Sequence, residues 1–180
     1  MSGQAIKHLE NIDVNDIWET QLCDLMKACF HYHVDPKIDV FASFDNAKLD
    51  HFINKEMDAF KHELLKDAFA NPPYSIIKKC MKFLYEQHVK HNIEIIILAY
   101  SKTDTKWWHD FVEGKAEVHF IKGRLKFQLE GIIPRICKEC KQHFIEEINY
   151  CPNCSLFEPV RLSQNCAPYP SCWIIYRKRK

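Results

Sequence analysis

Residues 93–100 run Ile-Glu-Ile-Ile-Ile-Leu-Ala-Tyr, almost wholly apolar and β-branched, and this stretch constrains the fold more than any other part of the chain. It reads as a buried strand of the parallel type, covered on both faces. Just before it, residues 76–88 place Ile76, Ile77, Cys80, Met81 and Leu84 on one helical face, so a helix feeds the strand. The same rhythm extends in both directions. Over 16–30, Trp18, Leu22, Leu25, Met26, Cys29 and Phe30 recur at steps of three and four, with Asn15 or Asp16 as N-cap. Pro36 then separates a loop from 38–42, a short apolar run that suits a strand carrying an acid, with 46–53 as the following helix. A short helix capped by Asp104 is expected over 105–111, and strands over 117–121, 124–129 and 172–176. Alternating helices and strands predict an α/β doubly wound sheet.

At 180 residues and 47% hydrophobic composition, the chain can build one full core with a small appendage but not two large domains. Lys plus Arg number 25 against 24 acids, so no global field draws the protein to nucleic acid, and any basic surface must be local. Residues 1–10 have no apolar run behind a basic start, and no apolar run reaches membrane-spanning length, so a soluble intracellular protein is expected. The four glycines, Gly3, Gly114, Gly123 and Gly131, cannot form a Gly-rich phosphate loop, which removes the main support for kinase and NAD-dehydrogenase readings.

Four of the nine cysteines form two CxxC knuckles, Cys137-Lys138-Glu139-Cys140 and Cys151-Pro152-Asn153-Cys154, separated by ten residues. That spacing can close a four-thiolate zinc site on a short hairpin. With no open coordination position, such a site is structural. The odd cysteine count argues against a disulfide framework. Cys23, Cys29, Cys80, Cys166 and Cys172 read as packed small residues, and His31-Tyr32-His33 as a loop rather than a metal site. The Cys-, Pro- and charge-rich stretch 134–159 breaks the strand-helix rhythm and reads as an insertion. The expected organisation is an N-terminal extension over 1–14, a main domain over 15–133 and 160–176, the insertion, and a solvated basic tail over 177–180.

The tetrapeptide Asn71-Pro72-Pro73-Tyr74 suits methylation of a conjugated amine. Such a nitrogen is a poor nucleophile because its lone pair is delocalised, and acceptors aimed at its N–H groups draw it toward tetrahedral geometry. Asn71 offers a side-chain carbonyl, Pro72 a main-chain carbonyl stiffened by two fixed φ angles, and Tyr74 a flat stacking face. Rate then comes from orientation and preorganised dipoles rather than a strong base. The plain alternative is a rigid strand-to-helix turn, since Asn and Pro-Pro both serve turns. By itself the motif fits adenine in DNA or RNA, or the side-chain amide of glutamine in a protein.

Several further blocks occur in order: Trp18-Glu19-Thr20, Asp39-Val40-Phe41-Ala42-Ser43 with Asn46-Ala47-Lys48, Asn71 to Ser75, Thr103-Asp104-Thr105-Lys106-Trp107-Trp108-His109, Gly123-Arg124-Leu125-Lys126-Phe127, and Ala167-Pro168-Tyr169-Pro170-Ser171. Together they resemble the phage-type DNA N-6-adenine methyltransferase family over nearly the whole chain apart from the insertion. The resemblance implies a Rossmann-like class I S-adenosylmethionine-dependent methyltransferase sheet acting on adenine in DNA. It implies that Trp18, Thr20, Asp39 and Ala42, with Asp58, line the cofactor pocket, and that the Asn71-Pro72-Pro73-Tyr74 loop carries methyl transfer. Ser75, Lys106, Trp107, Arg124 and Phe127 become candidates for substrate contact, although Trp107 and Trp108 suit core packing as well. Gln21 stands where the family has proline, and the first cofactor block lacks the usual glycines.

The insertion leaves the sheet just after Lys126 and Phe127, so it is expected to project over the substrate, with Arg135, Lys138 and Lys141 on phosphate. With few basic residues to spare, a homodimer or a partner subunit sharing the DNA contacts fits the sequence. A further alternative is a zinc-ribbon nucleic-acid-binding partner subunit without activity, against which the intact tetrapeptide argues.

Overall fold

The computed structural model describes residues 21–125, 135–137, 139–140, 143–144, 151, 153–155, 160–162 and 169–179. Its elements run α1 (Leu22–Tyr32), β1 (Ile38–Val40), β2 (Phe52–Ile53), β3 (Ala68–Ala70), α2 (Ile77–His91), β4 (Ile95–Tyr100), α3 (Lys106–Phe111), β5 (Glu117–Phe120), β6 (Arg135–Cys137), β7 (His143–Phe144), β8 (Val160–Leu162) and β9 (Ser171–Tyr176). Six strands form one sheet in the order β2-β1-β3-β4-β9-β5. The first four pair in parallel, and β9 lies antiparallel between β4 and β5.

The apolar run sits at the centre as β4, and all six of its residues are buried. Ile95, Ile97 and Ala99 face Met81 and Leu84 of α2 and Trp107 and Trp108 of α3. Ile96 and Leu98 face the opposite way, against Leu25 and Ala28 of α1. One strand thus serves two cores, and each fully buried Ile or Leu contributes roughly 1.5–3 kcal/mol. Helix α2 stops where Asn92 turns left-handed at φ 50 and its N–H bonds the His88 carbonyl, a residue that tolerates that conformation better than most.

Several expectations need correction. The stretch 46–53 is not a helix. The Asn46 side chain accepts the Ser43 N–H at 2.7 Å, the Asp39 carboxylate accepts the Lys48 N–H at 2.8 Å, and Phe52–Ile53 pairs with β1. Pairing with β1 draws Phe52 and Ile53 into the sheet, and the two side-chain bonds hold the preceding residues in a non-helical loop. Gln21 is extended, so α1 begins at Leu22 and continues to Tyr32; residues 15–20 lie outside the described part. On α1, Leu25 and Ala28 are buried while Leu22, Met26 and Phe30 are exposed, so the inward face is narrower than the apolar spacing indicates. Thr105, not Asp104, caps α3, and its hydroxyl donates backward to the Lys102 carbonyl. Arg124 and Leu125 are not in a strand, and 126–129 lie outside the described residues.

The basic tail is not simply solvated. Arg177 pairs with Glu94 at 2.9 Å and Glu117 at 3.0 Å, and Lys178 with Asp67 at 2.7 Å. Asp67 precedes β3, Glu94 precedes β4 and Glu117 opens β5, so Arg177 and Lys178 tie these strands together at that end of the sheet. Lys180 lies outside the described residues.

A second sheet, β7-β6-β8, is antiparallel throughout. It includes Val160–Leu162, which the expected boundary leaves on the main-domain side. No described helix is long and apolar enough to cross a membrane.

Candidate active site

In an open parallel sheet, ligands bind beyond the carboxyl ends of the strands where the strand order reverses. Here the reversal falls between β1 and β3, since β1 leads outward to β2 and β3 leads the other way to β4. Asn71 follows β3 immediately, so the Asn-Pro-Pro-Tyr loop opens at this point. Pro73 is extended at φ -60 and ψ 130, and the chain tightens into a short 3-10 turn over Tyr74–Ile76 before α2. The two prolines hold the exit from the strand rigid.

Within that loop the Asn71 side-chain oxygen Oδ1 is buried and meets no hydrogen-bond partner among the described residues. A buried carbonyl left unsatisfied costs roughly 1–3 kcal/mol, and such a group in a native fold calls for an explanation. An acceptor reserved for a bound amine supplies one. The Tyr74 ring stacks on Tyr100, the last residue of β4, with centroids 3.6 Å apart and planes 2° from parallel. Tyr100 in turn meets Tyr169 at 5.3 Å, and the Lys102 ammonium sits 3.9 Å from the Tyr169 centroid. Leu125 packs against Tyr100 in the same cluster, which brings the Arg124 block close to the loop.

On the other side of the reversal, Asp39 is 3% exposed. Burial pushes its carboxyl up to about 7, against the lowering effects of the Lys48 N–H and the Lys48 charge. Phe41 then turns left-handed at φ 69, and Ala42 is buried. The turn that glycines would make is thus made by Phe41, while Asn46 holds the loop beyond it. Asp58 caps the turn Ala59–Lys61 by accepting the Phe60 N–H at 3.3 Å, and lies 3.3 Å from the Lys61 ammonium. Trp18, Thr20 and Phe127 lie outside the described residues.

The substrate-side candidates divide. Ser75 is exposed and lines a groove of ≈ 440 Å³ with Ile76, Lys78, Lys79, Lys82 and Phe111. Lys79 is held 3.7 Å over the Phe60 ring, while Lys82 sits 3.7 Å from Glu86 at the solvent-exposed surface. Arg124 is exposed. Lys106 pairs loosely with Asp110 at 3.8 Å. Trp107 is 6% exposed and packs in the core with Trp108, so its ring offers no open face to a base. A second groove, of ≈ 430 Å³ between Ile38, Phe52 and Leu64, lies along the β2 edge and is separate from the loop.

Sequence reasoning missed Tyr100, Tyr169, Lys102 and the lysines of α2. Tyr100 had a signal: it is the aromatic residue that ends the apolar run. The others lie close to the loop only because of the sheet order and the direction of α2.

The four knuckle cysteines come together, with Sγ atoms all within 4.8 Å of one another. Cys140 and Cys151 approach to 3.6 Å across the two knuckles, and the Cys154 N–H donates to Cys151 Sγ at 3.4 Å. None of the four is joined in a disulfide, and Cys137 and Cys151 are buried. Among the described residues no other group of metal-donor side chains gathers in this way. His31 packs edge-on against Tyr32, and His33 ends α1. Burial pushes Cys172 up to about 12, and burial with Asp35 nearby pushes Cys29 up to about 11, as for inert packed thiols. Cys80 is buried, Cys23 is exposed, and Cys166, Lys138 and Lys141 lie outside the described residues.

A mainly parallel sheet with a single antiparallel strand between β4 and β5, and an Asn-Pro-Pro-Tyr loop at its reversal point, defines a class I methyltransferase. The model of the DNA N-6-adenine-methyltransferase (Dam) family matches residues 8–161. The chain belongs to that family, whose activity is S-adenosylmethionine-dependent methylation of the N6 amine of adenine in DNA. No curated protein matches the chain. The family match selects adenine in DNA from the acceptors that the tetrapeptide alone leaves open.

Proposed function

We propose that Asn71, Pro72 and Tyr74 form the methyl-transfer site for adenine N6, with Pro73 stiffening the loop. The single observation that carries this is the buried Asn71 Oδ1 without a partner among the described residues. Its oxygen and the Pro72 carbonyl each accept one N–H of the amine, which draws the nitrogen toward tetrahedral geometry and frees its lone pair from conjugation with the ring. Tyr74 stacks on the base. To reach this pocket from duplex DNA, the adenine leaves the helix stack. S-adenosylmethionine, when bound, supplies an electrophilic sulfonium methyl. Asn71 and Pro72 are not strong bases, so their contribution is orientation and fixed dipoles.

The cofactor fits the crevice beside β1. Asp39 supplies a buried acid, Ala42 leaves room for close approach, and Asp58, about a third exposed, remains a candidate edge contact. Trp18 and Thr20 are assigned to the same pocket on the family resemblance alone. Ser75, Arg124 and Phe127 are assigned to the DNA side, with Lys106 at its margin and Trp107 supporting from the core.

Zinc fits the four cysteines. Tetrahedral Zn–S bonds of about 2.3 Å imply sulfur–sulfur separations near ~3.8 Å, and the Cys140–Cys151 distance of 3.6 Å agrees. Cys137, Cys140, Cys151 and Cys154 would fill all four positions, so the metal holds the ribbon together and takes no part in methyl transfer.

Incubation with labelled S-adenosylmethionine and unmethylated DNA, with RNA in parallel, tests the reading. Nucleoside mass analysis is expected to find N6-methyladenine in DNA with the wild-type chain, formed about 10²- to 10³-fold more slowly with Asn71→Ala. Label in another base, or in RNA alone, would overturn it.

A further inference from the structure

We propose that Tyr100 is a positioning residue for methyl transfer, acting through Tyr74; this rests on the assignment of Tyr74 to base stacking. Tyr100 is 5% exposed, closes the central strand β4 and pairs in register with Ser171 of β9. Its backbone is therefore held by the sheet. The two phenol rings lie 3.6 Å apart and 2° from parallel, a full face-to-face contact. Aromatic pairs left to their own preference offset or tilt, so the parallel stack reflects the scaffold that holds both rings.

The consequence is directional. With one face of Tyr74 held against Tyr100, the height of the Tyr74 ring above the loop is set by a residue anchored in the sheet. Asn71 Oδ1 is fixed on the same loop, three residues earlier. Stacking height and acceptor position are thereby referred to adjacent strands, β4 for Tyr100 and β3 for Asn71. Leu125 and Tyr169 also pack on Tyr100 and brace it.

The test compares Tyr100→Phe, which keeps a ring, with Tyr100→Met, which fills similar volume without one. Transfer from labelled S-adenosylmethionine to unmethylated DNA is expected to fall about 10- to 100-fold in kcat for Tyr100→Met, the scale of a misplaced reacting group. Cofactor affinity is expected to stay within about twofold, and Tyr100→Phe to retain activity within about threefold. In a Tyr74→Leu background, Tyr100→Met should add little, because the two act as one unit.

Full activity of Tyr100→Met, or additive losses in the double variant, would overturn the proposal. If Tyr100→Met does not fold, 3-fluorotyrosine at position 74 of the otherwise wild-type chain decides the point. A clamped ring gives separate fluorine resonances for its two flip states, and a single averaged line overturns the clamp. A wild-type chain that transfers no label to DNA fails the functional reading instead, and the fluorine experiment still reports on the stack.

Discussion

The Asp39 carboxylate accepts the Lys48 backbone N–H at 2.8 Å from a position where only 3% of the residue is exposed. One buried acid thus holds the loop that leads from β1 to β2, and it is the acid proposed to contact the cofactor. Burial and the Lys48 contacts pull its ionisation in different directions.

Burial lifts the Asp39 carboxyl to about 7, above its ordinary unfolded value of about 3.9. The folded chain therefore holds a proton that the unfolded chain gives up, and the associated stability, present below about pH 4, is lost as pH rises to about 7. Asp39→Asn is expected to raise the melting temperature at pH 8, by the equivalent of up to about 4 kcal/mol, and to change it little at pH 4. The same variant should bind S-adenosylmethionine more weakly at pH 8. Melting curves at the two pH values, with calorimetric titration of the cofactor, check both; an equal shift at both pH values contradicts the assignment.

Asn71→Ala removes an acceptor that the rest of the described fold does not use. We expect kcat to fall by about 10²- to 10³-fold, the usual effect of deleting one preorganised hydrogen-bonding group. Stability should hold or rise, because a buried oxygen without a partner disappears. A variant that melts well below wild type would show Asn71 to be a structural residue.

Metal content follows from the cysteine geometry. The purified chain should carry one zinc ion, and a strong chelator should remove it with loss of the ribbon's hydrogen-exchange protection. Cys151→Ser, which replaces a buried ligand, is expected to lower zinc affinity at least tenfold. A metal-free chain with unchanged protection over 135–162 would refute the zinc assignment.

The lysines beside Ser75 form a local basic surface on a chain whose net charge is only +1. If Lys78 and Lys82 each neutralise one DNA phosphate, replacing both by Ala should reduce the slope of log affinity against log salt by roughly 2. Titrations of DNA binding at several salt concentrations measure it. An unchanged slope would move the phosphate contacts elsewhere.

Much of the centre of this molecule was legible in the residue order. A β-branched apolar run with no polar face demands cover on both sides, which is why β4 could be placed before any coordinates. The cysteine spacing was legible for a similar reason, since four thiols at that interval have few other uses. What failed were elements held by side-chain-to-backbone bonds. Leu49, Phe52 and Ile53 mimic helical spacing, but Phe52 and Ile53 pair with β1 while Asp39 and Asn46 pin the loop before them through the Lys48 and Ser43 N–H groups. The Trp107 ring beside Lys106 looked available to nucleic acid, yet the direction of α3 turns it into the core.

The Asn-Pro-Pro-Tyr tetrapeptide was visible, but its support was not. Tyr74, Tyr100 and Tyr169 are far apart in sequence and meet only because β3, β4 and β9 are neighbours in the sheet. Strand order is a long-range property, and a local pattern carries no record of it. The tail misled in the same way, since Arg177 and Lys178 find Glu94, Glu117 and Asp67 only after the sheet has brought those acids together.

The placement of β9 has a consequence for how the protein is made. It lies between β4 and β5, yet it is translated after both of them and after the whole cysteine ribbon. While the ribosome is still producing the ribbon, the most apolar strand of the molecule has one open edge, and β5 has no partner in this sheet. Open edges of that composition invite pairing between nascent chains. If zinc fills the four cysteines as proposed, rapid folding of the ribbon brings β9 to its slot sooner, and zinc supply during synthesis would govern the yield of the enzyme.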